Sequence, residues 1–339
     1  MPYITLNKNN FFNNLDIITQ QTKSKDKIAL VLKDNAYGHG LCEMARLAQE
    51  YGIKKAVVRL ESEAKEIYEY FDYILVLSDL PTVADEKICY TINDLSQIEK
   101  FPKKSKVELK VNSGMNRNGV EMSELDEAFQ KIEDASLNLE AVFTHHSSAD
   151  EFDDVYAFQK SNFQKIKEDA KILAQKYNLP ALRYHECNSA ALFREQNFSD
   201  DMARVGIAAY GCLELAMQNK MVDKLQPVLS LYAKKISSRS LLEGSSVGYS
   251  ATYTAEQNES VTNYDYGYGD GFLRSSSNTY VTPEGVKIAG RISMDNSSFL
   301  SSADELCIFN DAREAAKFAD TISYEILTSL KGYIDRRVV

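Results

Sequence analysis

Cysteine is scarce in this chain and tryptophan is absent. The five cysteines stand at 42, 89, 187, 212 and 307, an odd number without a close pair. Thiolate metal centres and redox motifs need close pairs, and disulfide scaffolds need many cysteines, so none of these is indicated. The thiols are expected to be idle in a reducing compartment, and no metal is expected. Positive charge is also in deficit. Against 49 carboxylates there are 39 Lys and Arg, with no basic run, which argues against a nucleic-acid partner. No apolar stretch approaches the ~20 residues of a membrane span, so no membrane partner is expected. The opening MPYITLNKNN lacks the charged-then-apolar pattern of a secretion signal, and the expected location is cytoplasmic. No GxGxxG follows the first buried apolar run, which weakens the case for a dinucleotide-binding fold.

What is present is alternation. Residues 2–6 read as a short strand, and 7–21 carry Phe11, Phe12, Leu15 and Ile18 at helical spacing. Eight apolar runs follow, at 28–33, 56–59, 73–77, 88–92, 107–112, 139–145, 182–187 and 202–210. Amphipathic stretches at 42–51, 61–71, 93–101, 123–135, 153–177 and 189–194 separate most of them. Eight buried strands with crossovers predict an α/β chain whose N-terminal part is a closed (β/α)8 barrel. Beyond Gly211 the pattern changes. Short alternating runs at 228–236, 260–265, 280–282 and 286–292, punctuated by Gly and Ser, predict a C-terminal, mostly antiparallel β domain. Short helices are expected at 312–317 and 326–330. The expected division is a barrel over 7–215 and a β domain over 216–339 that includes the N-terminal strand 1–6.

Barrels of this kind do their chemistry at the C-terminal ends of the strands. Lys33 ends the first run, within VLKDNAYGHG. An ammonium at a buried strand end is costly unless it is paired or loses its charge, and a Schiff base with an aldehyde cofactor is one way to lose it. Taken alone, Lys33 reads more simply as a strand-end lysine reaching solvent. The fifth run ends in KVNSGMNRNG and brings Lys110, Asn112 and Arg117 to the same rim. The sixth ends in THHSSADE with His145, while His146 points the other way and is the bystander. The seventh runs into HECNSAA, with His185, Asn188 and a Ser189 placed to open a helix. The eighth is MARVGIAAYG, with Arg204, Gly206 and Ile207. Ser189 and the N–H groups near Gly206 follow the last two strands, where such barrels bind phosphate. A phosphate site with a lysine across the mouth describes a place for pyridoxal 5'-phosphate.

The motifs VLKDNAYGHG, SGMNRNGV, THHSSADE, NSAA, ARVGIAAYG, VGYSATYTA, GYGDGFLR, GRISMD and TISYE, in this order, resemble those of alanine racemases of the barrel-plus-β-domain type. The resemblance covers nearly the whole chain. It implies that Lys33 holds pyridoxal 5'-phosphate and serves as one catalytic base. Tyr249 is similar to the opposite base, supplied by the other subunit of a homodimer. Tyr37, Ser189, Gly206, Ile207 and Tyr324 match phosphate-binding positions, and Arg204 matches the arginine facing the pyridine nitrogen. His145 resembles a histidine linking that arginine to the tyrosine, and His185 one near the ring. Arg117 and the backbone at Met294 match groups near the substrate carboxylate. Lys110 resembles a lysine that is often carbamylated. Tyr268, Arg274, Arg291, Asp295 and Ile322 resemble the path by which substrate enters.

The chemistry suits these residue types. Racemisation removes the Cα proton from one face and returns one to the other, so each face needs a base. Arginine only donates and stays protonated, so it cannot hand the ring nitrogen a proton, which should disfavour transamination. The implied activity is interconversion of L- and D-alanine, supplying D-alanine for peptidoglycan. The alternatives are a racemase for serine or a broader range of amino acids, a decarboxylase of the same barrel family, and a non-enzymatic pyridoxal-phosphate carrier. A decarboxylase is expected to lack the paired GYSATY and GRISMD context, and the carrier type lacks a β domain. Three residues depart from the pattern: Asn112 for a usual Asp, Glu186 for a small or apolar residue, and Glu325 for a common Arg.

Overall fold

Tyr3–Leu6 forms β1 and is followed by a helix, Lys8–Thr22, capped by the Asn7 side chain. The computed structural model describes all residues, 1–339. The eight apolar runs become β2 (Ile28–Val31), β3 (Lys55–Val58), β4 (Tyr73–Val76), β5 (Ile88–Ile92), β6 (Lys106–Lys110), β7 (Asn138–Phe143), β8 (Arg183–His185) and β9 (Ala203–Val205). All are parallel, in the order β8-β7-β6-β5-β4-β3-β2-β9. The seam between β8 and β9 has no regular ladder. It is bridged by Arg204 N–H to Cys187 O (2.9 Å) and Asp201 N–H to Tyr184 O (3.1 Å).

Side chains alternate across a strand, so each strand has an inner and an outer face. On β2 to β5 the inner set is apolar: Ala29, Val31, Val57, Leu75 and Cys89 pack together with Tyr73 and Met202. The outer set, such as Leu30, Val58, Ile74 and Val76, joins the main core under the helices. On β6, β8 and β9 the inward register carries charge instead, on Glu108, Lys110, Arg183, His185 and Arg204. The barrel is filled with hydrocarbon on one side and with ionisable groups on the other.

Of the expected helices, 61–71 divides into Glu61–Glu66 and a short 3-10 turn, and 93–101 is a 3-10 helix, Leu95–Lys100, capped by Asp94. The helix after β8 is Ser189–Arg194, but its cap is Asn188, whose side chain accepts from Ala191 N–H (2.9 Å).

The second sheet is built on one long strand, β10 (Leu229–Leu241). It pairs antiparallel with β1, with β13 (Glu259–Tyr264) and with β15 (Glu305–Phe309). β14 (Ser297–Phe299) extends it beyond β13, and β16 (Asp335–Val338) lies parallel to β1. A small hairpin, β11 (Ser246–Val247) and β12 (Tyr253–Thr254), stands apart. The runs at 280–282 and 286–292 are not strands. They make only isolated bridges, Val281 to Lys287 and Ile288 to Phe299, because Pro283 and the positive φ of Gly285 and Gly290 (83° and 85°) interrupt any ladder. β16 is unexpected, since its sequence DRRV has no apolar alternation. Two helices, Ala312–Ala319 and Ser323–Ser329, close the chain's packing.

Candidate active site

β2 ends at Val31, and Leu32 passes the chain to Lys33. Asp34, Asn35, Ala36 and Tyr37 then all take φ between 49° and 56°, one turn of left-handed helix. For L-residues this costs roughly 1–2 kcal/mol each, so the turn must be held from outside. Asp34 N–H donates to Glu63 Oε1 (2.8 Å), and Leu41 N–H donates to Asn35 Oδ1 (2.9 Å). His39 Nδ1 bonds Tyr37 O (2.9 Å) and Ala36 O (3.1 Å), and its ring stacks on Tyr210 at 4.3 Å. Burial pushes the His39 pKa down to about 4, so it holds the turn as a neutral donor. Gly38 is required beneath it, because an added Cβ would lie 2.0 Å from Leu327 O of the helix Ser323–Ser329.

Lys33 is not fully buried, although the strand before it is. Its side chain is about a third exposed, with Nζ 3.5 Å from Asp34 Oδ2 and 5.9 Å from the Tyr37 ring centre. What surrounds it is positive. The Lys110 pKa is drawn down to about 8, by burial first and then by Arg117, Arg204 and Lys33. His145 is held well below its ordinary value by burial, then by Arg204, Lys110 and Arg117. Three strand ends thus aim cations at one mouth, which suits anions such as a phosphate or a carboxylate. A cleft of about 720 Å³, lined by no hydrophobic side chain and including Asn112, Arg117 and Glu121, opens beside Arg117.

Lys110 gives a testable sign. Its folded pKa lies below the ordinary 10.5, so the unfolded chain binds more protons between about pH 8 and 10.5, and stability rises with pH across that window. Lys110→Met should flatten this rise in urea unfolding curves recorded in CO2-free buffer. An unchanged slope would remove Lys110 as its source.

Arg204 is buried and makes four bonds. Nη2 donates to Thr144 O (2.6 Å) and Glu186 O (3.3 Å), and Nη1 donates to His185 O (3.4 Å) and His185 Nδ1. Its histidine partner is therefore His185. His145 makes no hydrogen bond within the chain and meets Arg204 only through its field. The other nitrogen of His185 bonds Glu108 Oε2 (2.9 Å), a residue absent from the set expected from sequence. A signal existed: Glu108 lies two positions before Lys110 on the same strand and must share its face.

Behind Arg204 the chain forms a cradle. Gly206 and Ala208 N–H donate to Ser189 Oγ (3.1 and 3.3 Å), and Ile207 N–H between them has no acceptor. Tyr37 closes one side, its ring edge-on to Tyr210 (5.5 Å) and Tyr324 (5.8 Å). A Cβ on Gly206 would lie 2.6 Å from Tyr37 Cε2 and 3.0 Å from its hydroxyl oxygen. The three rings pin one another, so Tyr37 has no free direction to yield. If the cradle holds a phosphate, Gly206→Ala is expected to weaken that binding by about ten- to a hundredfold, the equivalent of roughly 1–3 kcal/mol of overpacking. Equilibrium dialysis of pyridoxal 5'-phosphate against both chains measures this.

The remaining predicted residues gather on the β domain. Tyr249, Met294 and Ile322 are 65%, 55% and 61% exposed, high for apolar or aromatic side chains, and Tyr268 and Tyr324 are also exposed. Arg291 Nη1 donates to Ser250 Oγ (3.0 Å), fixing the turn that carries Tyr249. Gly269 N–H donates to Met294 O (2.7 Å). Arg274 opens a 3-10 turn, and Asp295 borders a small acidic pocket with Asp265 and Asp270. No hydrogen bond or ion pair joins Tyr249 to Lys33 within the chain.

The three departures are absorbed locally. Asn112 Oδ1 accepts from Gly114 and Asn116 N–H, while its amide donates to Asn116 Oδ1 and Glu121 Oε1 (both 2.9 Å). An aspartate there would face Glu121 with like charge. Glu186 is buried and bonds His146 Nε2 (3.0 Å), so His146 serves packing on the helix side. Glu325 lies in the first turn of the last helix, where a negative charge is favoured, and accepts from the Thr321 hydroxyl. No group of three or more His, Cys, Asp and Glu is arranged to hold a metal, and no helix is long and apolar enough to cross a membrane.

Residues 6–214 match the family described as alanine racemase, N-terminal domain, and residues 228–338 match alanine racemase, C-terminal domain. The chain is 41% identical over 336 residues to an alanine racemase of a Nitratiruptor species, covering 99% of both. It is also 41% identical to one of Campylobacter concisus, covering 100% of both. Among solved structures, alanine racemase of Clostridium difficile 630 superposes with a TM-score of 0.88 at 27% identity, covering 100% of this chain and 95% of that one. A Bacillus anthracis alanine racemase with bound L-Ala-P gives 0.86 at 26%, with the same coverage. Two family matches spanning both sheets, together with full-length relatives well above 30% identity, establish that this chain belongs to the alanine racemase family.

Proposed function

We propose that this chain interconverts L- and D-alanine with pyridoxal 5'-phosphate, by two bases on opposite faces of the substrate, as a cytoplasmic homodimer that supplies D-alanine for peptidoglycan. The observation that carries the reading is the convergence of Lys33, Arg204 and the Ser189–Gly206 cradle on one mouth. The cradle fits a phosphate: it has small residues, an unused N–H at Ile207, and a tyrosine wall that leaves no room for a Cβ. Bound there, the cofactor would supply an aldehyde carbon for amine chemistry and a ring that accepts the electrons left by the departing proton.

Tyr37, Ser189, Gly206, Ile207 and Tyr324 would hold the phosphate. Arg204 would face the ring nitrogen and, as a permanent donor, would not hand it a proton. Lys33 Nζ would hold the cofactor and move the Cα proton on one face, and Tyr249 Oη would do so on the other. Tyr249 is exposed on its own chain, and the tyrosine that completes each site comes from the partner's β domain. In this division, residues 7–215 form the cofactor-binding unit, and 216–339 with 1–6 give the second base. His145 and His185 line the ring side, and Arg117 with the Met294 backbone takes the substrate carboxylate. Lys110, already depressed to about 8, has the neutral fraction needed to add CO2, forming an N–C bond and releasing one N–H proton to solvent, and the resulting carbamate anion would meet Arg117. Tyr268, Arg274, Arg291, Asp295 and Ile322 border the path inward.

Borohydride reduction of the cofactor-loaded chain, followed by peptide mapping, should locate the cofactor on Lys33. Attachment elsewhere would end the reading. Turnover of alanine and serine compared side by side separates a dedicated enzyme from a broader amino-acid racemase.

A further inference from the structure

Glu108 has 0% exposure and sits below Arg204 in the charged half of the barrel. Its Oε2 lies 2.9 Å from His185 Nε2, and its Oε1 accepts from Arg183 Nη2 (2.9 Å) and from the Tyr73 hydroxyl. The His185 ring is equally buried and stacks on Phe143 at 4.8 Å with 13° between planes. Phe143 also carries the Arg204 guanidinium, 5.0 Å from its centre. The direction of the chain of bonds follows from donor chemistry. A guanidinium has no acceptor, so His185 Nδ1 must accept from Arg204. The single ring proton is then on Nε2 and points at Glu108. One tautomer is fixed, and the imidazole is neutral. The Arg204 charge has a counter-charge one ring away, without direct contact.

We propose that Glu108 is a positioning residue of the racemase: it fixes the His185 tautomer and, through that ring, the orientation and effective charge that Arg204 presents to the cofactor's ring nitrogen. This rests on the proposed placement of the cofactor against Arg204. The physical case is that a buried guanidinium without a counter-charge is costly. A carboxylate bonded directly to Arg204 would neutralise the field that Arg204 presents. An intervening imidazole keeps the pair compensated while leaving the guanidinium's outer edge free. Desolvation opposes ionisation of Glu108, but the His185 N–H and the Arg183 guanidinium that bond its two oxygens favour the carboxylate and hold its pKa below the ordinary value. Arg183 is shared with Glu140 (2.9 Å), which prevents it from drawing Glu108 away from His185.

The test uses imidazole-15N-labelled holoenzyme, in which four histidines give few signals. In the parent chain, the His185 nitrogens should report a single Nε2–H tautomer that does not titrate. In Glu108→Gln they should move toward a mixed or inverted tautomer. The visible absorption band of the bound cofactor should shift, and kcat should fall about ten- to a hundredfold with KM little changed, by analogy with the hydrogen-bond partners that orient metal-bound histidines. Tyr73→Phe removes another bond to the same carboxylate and should leave tautomer and spectrum as in the parent; a merely structural role would move both variants alike. If Glu108→Gln does not fold, Glu108→Asp, which keeps the charge but withdraws it from His185, is read in the same way. Parental 15N shifts and an unmoved absorption band in the variant would overturn the proposal. The underlying placement is tested separately: failure to trap cofactor on Lys33 in the parent chain would remove the placement, whatever the histidine signals show.

Discussion

Lys33→Ala should lower racemisation by about 10⁴-fold or more, since it removes both the attachment point and a positioned base whose acid–base share alone reaches about 10⁴. The fold should survive. Lys33 makes one long ion pair with Asp34 and is about a third exposed, and the left-handed turn after it is held by Glu63, Asn35 and His39 rather than by the lysine. Cofactor should still be drawn to the phosphate cradle but should no longer be trapped by borohydride. Added methylamine should restore part of the activity, because the space left by the side chain opens onto solvent. Racemisation by Lys33→Ala at the parental rate would show that the base assignment is wrong, and rescue by amine would show that the loss was chemical rather than structural.

Tyr249→Phe should cost racemisation about 10²- to 10⁴-fold, the range for one acid–base group. It should do so selectively. With Lys33 intact, one enantiomer of alanine should still exchange its α-hydrogen with deuterated solvent, while inversion is suppressed. Loss of both exchanges would mean that Tyr249 supports the site as a whole rather than one face of it. The location of the base is tested by mixing. In a homodimer with shared sites, a Lys33→Ala chain paired with a Tyr249→Phe chain leaves one site with both its lysine and its tyrosine. Statistical mixing makes half of the dimers hybrid, so about a quarter of parental activity should return from two inactive preparations. If both bases came from one chain, no hybrid would contain an intact site and nothing would return. The exposure of Tyr249 on its own chain, 65%, is the surface reason to expect recovery.

Much of the fold was legible in the linear sequence. The eight runs appear as eight strands in the expected places: β2 to β5 are largely apolar because a parallel strand buried on both faces must be, whereas β6, β8 and β9 break that run with charge on their inward face. Local departures were legible only in part. Asn112 reads as a missing charge until its amide is seen bound to Glu121, and Glu186 reads as an intrusion into the site until it is found against His146. β16 was invisible, since its charged sequence gains its order from pairing with β1, more than 300 residues earlier. The strands expected at 280–282 and 286–292 fail for the opposite reason: apolar alternation is there, but Pro283 and two glycines prevent continuous pairing.

The sequence by itself determined the eight strands of the barrel and, by resemblance, the residues expected to act, because hydrophobic period and motif spacing are local properties. Only the tertiary structure decided which inward faces meet. Lys33 is partly exposed, as a strand-end lysine reaching solvent would be, but it stands at a cationic mouth, and its neighbouring turn is left-handed. Arg204 took His185 as its partner, and Glu108, unremarked in the middle of a strand, became the counter-charge behind both. These contacts join β6, β8 and β9, and no local pattern encodes them. They exist because closing the sheet brings residues 77 and 96 positions apart, Glu108 to His185 and to Arg204, into one dry interior where each charge must find a partner.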